Sequence, residues 1–266
     1  MIKKITLIGG GNLGTAIAQG LVKSKLVKAS AITITRRNLS KLEYLRADGF
    51  VLSTDNRRAV KNAALILLCV QPKQLAAVLQ ELDPVLQPDQ ILVSTITGIT
   101  TDEIAGLLQK KMPVVRAMPN TAIAIGQSMT CLCCRDASDE QLAAVQNLFD
   151  GLGKTLIVEE RLMKAATVLA ASGIAFFMRY VRAATQGGIQ MGFDAEAAQL
   201  IAAQTARGAA SLLLASDSHP EMEIDKVTTP EGCTIAGLNE MEHQGLSSAL
   251  IKGIITSFEK INSIKK

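Results

Sequence analysis

Tryptophan is absent from this chain of 266 residues, tyrosine occurs twice, and aromatic residues make up 3% in all. Such a chain offers few platforms for stacking bases. Its 28 basic and 24 acidic residues leave a net charge of only +4. They are spread along the sequence, which is too weak and too dispersed for a nucleic-acid footprint. Histidine is almost as scarce: His219 and His243 are the two present, neither in triad nor metal-ligand spacing. That argues against the alcohol and hydroxy-acid dehydrogenases that use a histidine proton donor. The five cysteines, Cys69, Cys131, Cys133, Cys134 and Cys233, form an odd set without two paired C-x-x-C units and without a nearby histidine. Neither a disulfide framework nor a bound metal is expected. The longest uncharged stretch, from Ala117 to Cys134, carries Pro119, Asn120, Thr121, Gly126, Gln127 and Ser128 and is too polar for a membrane span. Met1-Ile2-Lys3-Lys4 runs straight into a strand-like segment with no cleavage site of small residues, so a cytoplasmic protein with no membrane partner is expected. The tail from Lys260 to Lys266 is mildly basic.

What is present is globular. Hydrophobic residues make up 48% and charged residues 20% of the chain, with no repeat and no long low-complexity tract. Short, nearly apolar runs rich in Ile, Val, Leu and Thr predict strands at Ile5 to Ile8, Ala31 to Thr35, Ala64 to Val70, Gln90 to Thr95 and Val114 to Ala117. Continuous apolarity is expected of a strand covered on both faces. Helical patterns separate them at Asn12 to Ser24, Ser40 to Asp48, Lys73 to Leu82 and Thr101 to Leu108. Strand and helix in alternation imply an α/β Rossmann-type, doubly wound parallel sheet. Two more strands, Met129 to Cys134 and Lys154 to Val158, flank a helix beginning at Ser138. After Glu159 the composition turns to Ala, Leu, Ile, Met and Gly without proline as far as Leu214, and shorter helices follow at Ile235 to Glu242 and Leu246 to Ile261. Two domains are expected, a dinucleotide-binding one over 1–159 and an all-α one over 160–266. Small residues such as Ala165, Ala166, Ala170, Ala171 and Gly173 permit close helix packing that could continue across a subunit boundary.

The sharpest motif is Gly9-Gly10-Gly11-Asn12-Leu13-Gly14. It satisfies G-x-G-x-x-G directly after a strand and before a helix, the context dinucleotide binding requires. Gly9 permits a tight turn, Gly11 lets the backbone approach a pyrophosphate, and Gly14 lets helix and strand pack closely. The amides and dipole of the helix N-terminus then face the phosphates. About 20 residues on, where an Asp or Glu selects the ribose hydroxyl of NAD, the second strand ends in Thr35-Arg36-Arg37-Asn38. No acid occurs before Glu43. A guanidinium binds a 2′-phosphate that a carboxylate would repel, so NADPH is the expected cofactor and NADH a weaker alternative.

Four further stretches carry a family resemblance. Val227-Thr228-Thr229-Pro230-Glu231-Gly232-Cys233-Thr234-Ile235-Ala236-Gly237-Leu238 resembles the C-terminal signature of the pyrroline-5-carboxylate reductases, a Ser-Pro-Gly-Gly-x-Thr turn that leads into a helix. Cys69-Val70-Gln71-Pro72 is similar to that family's Ala-Val-Lys-Pro. Arg116-Ala117-Met118-Pro119-Asn120-Thr121 is similar to its Arg-Val-Met-Pro-Asn-Thr-Pro, and Ala171-Ser172-Gly173-Ile174-Ala175-Phe176 to its Gly-Ser-Gly-Pro-Ala-Tyr. The four lie in the family's order.

The resemblance implies reduction of L-1-pyrroline-5-carboxylate to L-proline, the last step of proline biosynthesis, with hydride passing to the C5 imine carbon. An imine can arrive already protonated, so its reduction asks an enzyme mainly for positioning. By the same resemblance, Thr229, Gly232, Cys233 and Thr234 grip the substrate carboxylate, and Thr234, the candidate catalytic residue, hydrogen-bonds the ring nitrogen. Asp217 matches an acidic position near the substrate. Asn56 and Cys69, Val70, Gln71 and Pro72 match contacts to NADPH, with Thr97 and Gly98 on the nicotinamide side. A homodimer or a multiple of dimers follows, with helices of the C-terminal dimerisation domain exchanged between subunits. The chain departs from the family at Gln71, Ala122, Ile174 and Glu231, each in place of Lys, Pro, Pro and Gly respectively. Glu231 sets a negative charge beside a carboxylate pocket. Three alternatives stay open: a reductase of another cyclic imine or imino acid, a β-hydroxyacid dehydrogenase relative using Lys164 as its acid, and a non-catalytic NADP-binding regulator.

Overall fold

The computed structural model describes residues 4–263. The first three residues of the N-terminal segment read above, and the end of the basic tail, lie outside them. The chain divides into two compact units. One comprises described residues 4–172 with 258–263, and the other residues 173–257.

The first unit is an eight-stranded sheet flanked by helices. Its strands are β1 (Ile5–Ile8), β2 (Ile32–Thr35), β3 (Val51–Ser53), β4 (Leu65–Leu68), β5 (Ile91–Ser94), β6 (Val114–Met118), β7 (Ser128–Arg135) and β8 (Gly153–Ile157), in the order β3-β2-β1-β4-β5-β6-β7-β8. Helices α1 (Asn12–Lys23), α2 (Tyr44–Ala47), α3 (Asn56–Val60), α4 (Leu75–Leu82), α5 (Thr101–Ala105) and α6 (Asp139–Asp150) connect them. Every residue of β1, β4, β5 and β6 is buried. Ile5, Leu7, Leu65 and Leu67 pack into one apolar cluster, and Ile8, Ile66 and Leu68 into a second. Alternate residues thus feed opposite faces, as the unbroken apolar runs require.

One pair departs from the expected parallel arrangement. Strands β6 and β7 are antiparallel, Val114 opposite Arg135 and Met118 opposite Cys131, whereas the other neighbouring strands are parallel. Only a 3₁₀ turn over Thr121–Ile125, closed by Gly126 at φ 70°, links the two strands. That is too short for the crossover a parallel pair needs. Strand β3 and helix α3 were not marked by periodicity, because three and five residues are too few to show one.

Beyond β8 come α7 (Met163–Ala166) and a single stretch of π-helix, Thr167–Ser172. The second unit holds α8 (Gly173–Gln190), α9 (Ala195–Ala215), α10 (Pro220–Val227) and α11 (Cys233–His243); α12 (Leu246–Ser263) begins in it. The proline-free stretch that ends at Leu214 is not one helix: it breaks between α8 and α9, where Gly192 takes φ 105° and the Asp194 carboxylate accepts from the Ala197 amide at 2.9 Å. Gly188 lets the two helices meet closely, since a Cβ there would lie 3.0 Å from that of Ala198. His219 caps α10, accepting from Glu221, and His243 ends α11.

Candidate active site

The strand order 3-2-1-4-5-6 places a topological switch at β1, and the glycine loop leaves the C-terminal end of that strand, where open α/β sheets bind their ligands. Each glycine does a different job. Gly9 takes φ 110°, and a Cβ there would sit 2.6 Å from the Cys69 carbonyl oxygen. A Cβ on Gly14 would sit 2.3 Å from the Gly9 carbonyl. Around Gly11, by contrast, a Cβ would meet nothing within 4 Å. The loop is therefore packed tight behind Gly9 and Gly14 and open in front of Gly11, the cradle a pyrophosphate requires. Gly11 caps α1 without a side-chain hydrogen bond, so the first-turn amides, those of Asn12, Leu13 and Gly14, are left for an anion. The dinucleotide phosphates fit these residues.

The end of β2 is tied to the same loop. Gly9 and Gly10 both donate their amides to the Thr35 carbonyl, at 3.2 and 2.8 Å. Arg36 Nη1 donates to the Gly10 carbonyl at 2.6 Å. Arg36 is half-buried and Arg37 exposed. Asn38 turns away to accept from Ser40. From the other side comes the end of β4. Cys69 donates its amide to Ile8 at 2.8 Å, and Val70 Cγ1 lies 3.1 Å from where a Gly9 Cβ would be. Burial pushes the Cys69 thiol up to about 11, so it remains neutral. Gln71 and Pro72 start a short 3₁₀ turn, with the Gln71 amide bonded to Gln74. Asn56 opens α3 and donates Nδ2 to Glu81 at 3.0 Å. Thr97 and Gly98 occupy the loop after β5, with Gly98 at φ 82° and open around its Cα.

The structure thus brings together Gly9, Gly11, Asn12, Leu13, Gly14, Arg36, Cys69 and Val70 around one loop. Of the candidate substrate residues, all in the second unit, Thr229, Gly232, Cys233 and Thr234 share one turn at the start of α11, and among the described residues no hydrogen bond joins Asp217 to it. There the Gly232 amide donates to the Thr229 carbonyl at 3.0 Å, and a Gly232 Cβ would lie 2.4 Å from Thr229 Oγ1. Gly232 then caps α11 with no side-chain hydrogen bond, and Cys233 and Thr234 are the helix's first residues. Glu231 takes φ 56°, the left-handed region in which glycine is at ease and a glutamate is strained. Asp217 is exposed between α9 and α10.

Sequence reasoning passed over a further cluster in the first unit. Arg116, buried in the middle of β6, pairs with Glu160, which also accepts from Thr101 and Cys133. A charge inside an otherwise apolar strand was the signal for it. Asn120 Nδ2 likewise reaches the Ala170 carbonyl in the π-helical turn at 3.2 Å.

A dinucleotide loop of this kind, on a sheet of this order, defines a dinucleotide-binding protein of the Rossmann type. Residues 4–98 match the family model described as NADP oxidoreductase, coenzyme F420-dependent. Residues 160–264 match that for pyrroline-5-carboxylate reductase dimerisation. The chain is 48% identical over 272 residues to pyrroline-5-carboxylate reductase 1 of Dictyostelium discoideum, which covers 98% of this chain and 49% of that protein. It spans about half the length of that relative. It is 44% identical over 274 residues to pyrroline-5-carboxylate reductase 2 of the same organism, covering 97% of this chain and 92% of the relative. A solved pyrroline-5-carboxylate reductase from Coxiella burnetii superposes with a TM-score of 0.92 at 28% identity, covering 99% of this chain and 98% of that one. The chain belongs to the pyrroline-5-carboxylate reductase family.

The dimerisation match accounts for a surface that would otherwise be anomalous. The run Glu160–Gln190 is long and apolar enough, by length and composition, to cross a membrane, yet only 22% of its apolar window is buried within the chain. Phe177, Met178, Leu200 and Leu214 are among many exposed apolar side chains beyond Ser172. Exposed apolar patches of this kind mark surfaces that associate, and the dimerisation region supports formation of an oligomer.

Proposed function

We propose that the chain reduces L-1-pyrroline-5-carboxylate to L-proline with NADPH, as a cytoplasmic homodimer or multiple of dimers. The single observation that carries the reading is 44% identity along almost the full length of a relative of that name. The open space before Gly11 supports it on physical grounds.

The chain's own residues have the following parts. The first-turn amides of α1 hold the pyrophosphate, and the Arg36 guanidinium, already resting on Gly10, takes the 2′-phosphate. Arg37, Asn56 and the segment Cys69 to Pro72 line the dinucleotide, and Thr97 and Gly98 face its nicotinamide. Bound NADPH supplies the hydride that reduces the C5 imine carbon. Amides and hydroxyls at Thr229, Gly232, Cys233 and Thr234 hold the substrate carboxylate at the start of α11. Thr234 orients the ring nitrogen, and Asp217 stands near the substrate. No covalent intermediate with the enzyme forms, and the rate comes from orientation.

The test is direct. Purified chain mixed with the pyrroline and NADPH consumes the cofactor and accumulates proline. Consumption with other cyclic imines but not this one would redirect the substrate assignment.

A further inference from the structure

Glu160 follows β8 and is 59 residues distant from Thr101 and 44 from Arg116 in sequence, yet it joins both. Its Oε2 accepts the Thr101 amide at 3.2 Å, the Thr101 hydroxyl at 2.8 Å and Cys133 Sγ at 3.2 Å. Its Oε1 accepts Arg116 Nη1. Thr101, Arg116 and Cys133 are all buried, and Arg116 Nε, unlike Nη1, has no hydrogen-bond partner among the described residues. One carboxylate therefore ties the start of α5 to β6 and β7. Thr101 is the residue at which the loop after β5 ends. The loop's other end is also fixed, since Thr95 donates both its amide and its hydroxyl to the Leu68 carbonyl at 3.1 Å. Between these anchors Ile96 and Ile99 pack against the second apolar cluster, the Thr97 hydroxyl lies 4.0 Å from Met118 Sδ, and a Cβ on Gly98 would meet nothing within 4 Å.

We propose that Glu160 is a positioning residue for the reaction: through Thr101 it fixes the loop that presents Thr97 and Gly98 to the nicotinamide. The proposal rests on the function argued above. A loop held at both ends presents its middle at a set distance, and a reacting pair displaced by a fraction of an ångström loses rate without losing the rest of its binding.

Three variants test this: Glu160→Gln, Thr101→Val, which removes one hydroxyl and keeps the side chain's shape, and Thr101→Ser, which keeps the hydroxyl. Two quantities are read in each. One is binding of adenosine 2′,5′-bisphosphate, which carries the phosphates and adenosine of NADPH but no nicotinamide. The other is turnover of the pyrroline, with the isotope effect of NADPH deuterated at C4. Glu160→Gln and Thr101→Val should bind the fragment as the parent does, lose about tenfold or more in kcat, and show a larger isotope effect. Thr101→Ser should retain kcat. If Glu160→Gln does not fold, Thr101→Val against Thr101→Ser decides. Unchanged kcat in folded Thr101→Val overturns the proposal, and so does a parallel fall of kcat and fragment binding. A parent enzyme that turns over no pyrroline at all overturns the functional reading instead.

Discussion

Arg36 Nη1 donates to the carbonyl oxygen of Gly10 at 2.6 Å, so the guanidinium that ends the second strand rests on the glycine loop that ends the first. In the proposed binding mode this cation meets the 2′-phosphate of NADPH, a charge that NADH lacks. Replacement by alanine, Arg36→Ala, should weaken NADPH by about 1.5–3 kcal/mol, roughly tenfold to a hundredfold, and NADH far less. The ratio of kcat/KM for the two cofactors checks this. An unchanged ratio would move the phosphate to Arg37 or elsewhere.

The glycines separate folding from binding. Gly11→Ala adds a methyl group to open space, so its stability should stay within about 0.5 kcal/mol of the parent while dinucleotide binding fails. Gly14→Ala pushes a methyl group to 2.3 Å from a backbone oxygen and should lower the melting temperature markedly. Thermal melts with and without NADPH distinguish the two.

At Glu231 the chain holds a strained backbone, φ 56°, in the left-handed region that favours glycine. Glu231→Gly removes roughly 1–2 kcal/mol of strain, part of which is returned through the freer unfolded chain, so stability should hold or rise slightly. It also takes an exposed negative charge away from the turn proposed to hold the substrate carboxylate, and KM for the pyrroline should fall by roughly twofold to fivefold. A KM that rises would show that Glu231 takes part in binding.

Acid should expose the Glu160 clamp. Burial alone would raise this carboxyl, but the Thr101 hydroxyl, the Arg116 charge and the Cys133 thiol together hold it below its ordinary 4.5. The unfolded chain then binds the proton more readily than the folded one, so the contribution is complete above pH 4.5 and disappears as pH falls through the lower folded value. Melting temperatures of the parent and Glu160→Gln, measured from neutral pH downward, should converge on the acid side. A constant difference across that range would refute this assignment.

The sheet unit was legible because its central strands β1, β4, β5 and β6 are buried on both faces and read as continuous apolar runs, with Gly9 to Gly14 marking the switch point. What escaped was short or long-range. Strand β3 has three residues and carries no period. The antiparallel turn of β6 into β7 depends on how few residues join them. Glu160 meets Thr101 and Arg116 only after the sheet has formed, and no local pattern announces a partner 59 residues away. In the helical half, Thr229 to Thr234 could be picked out by resemblance, while the left-handed turn at Glu231 is a property of the folded backbone.

The central claim is that this chain moves hydride from NADPH to a pyrroline. Stopped-time assays of the purified protein with L-1-pyrroline-5-carboxylate, following both NADPH loss and proline formed, test it most directly. The account predicts that the two proceed in equal amounts and that Gly11→Ala abolishes both. NADPH that remains unoxidised in the presence of this substrate would contradict it.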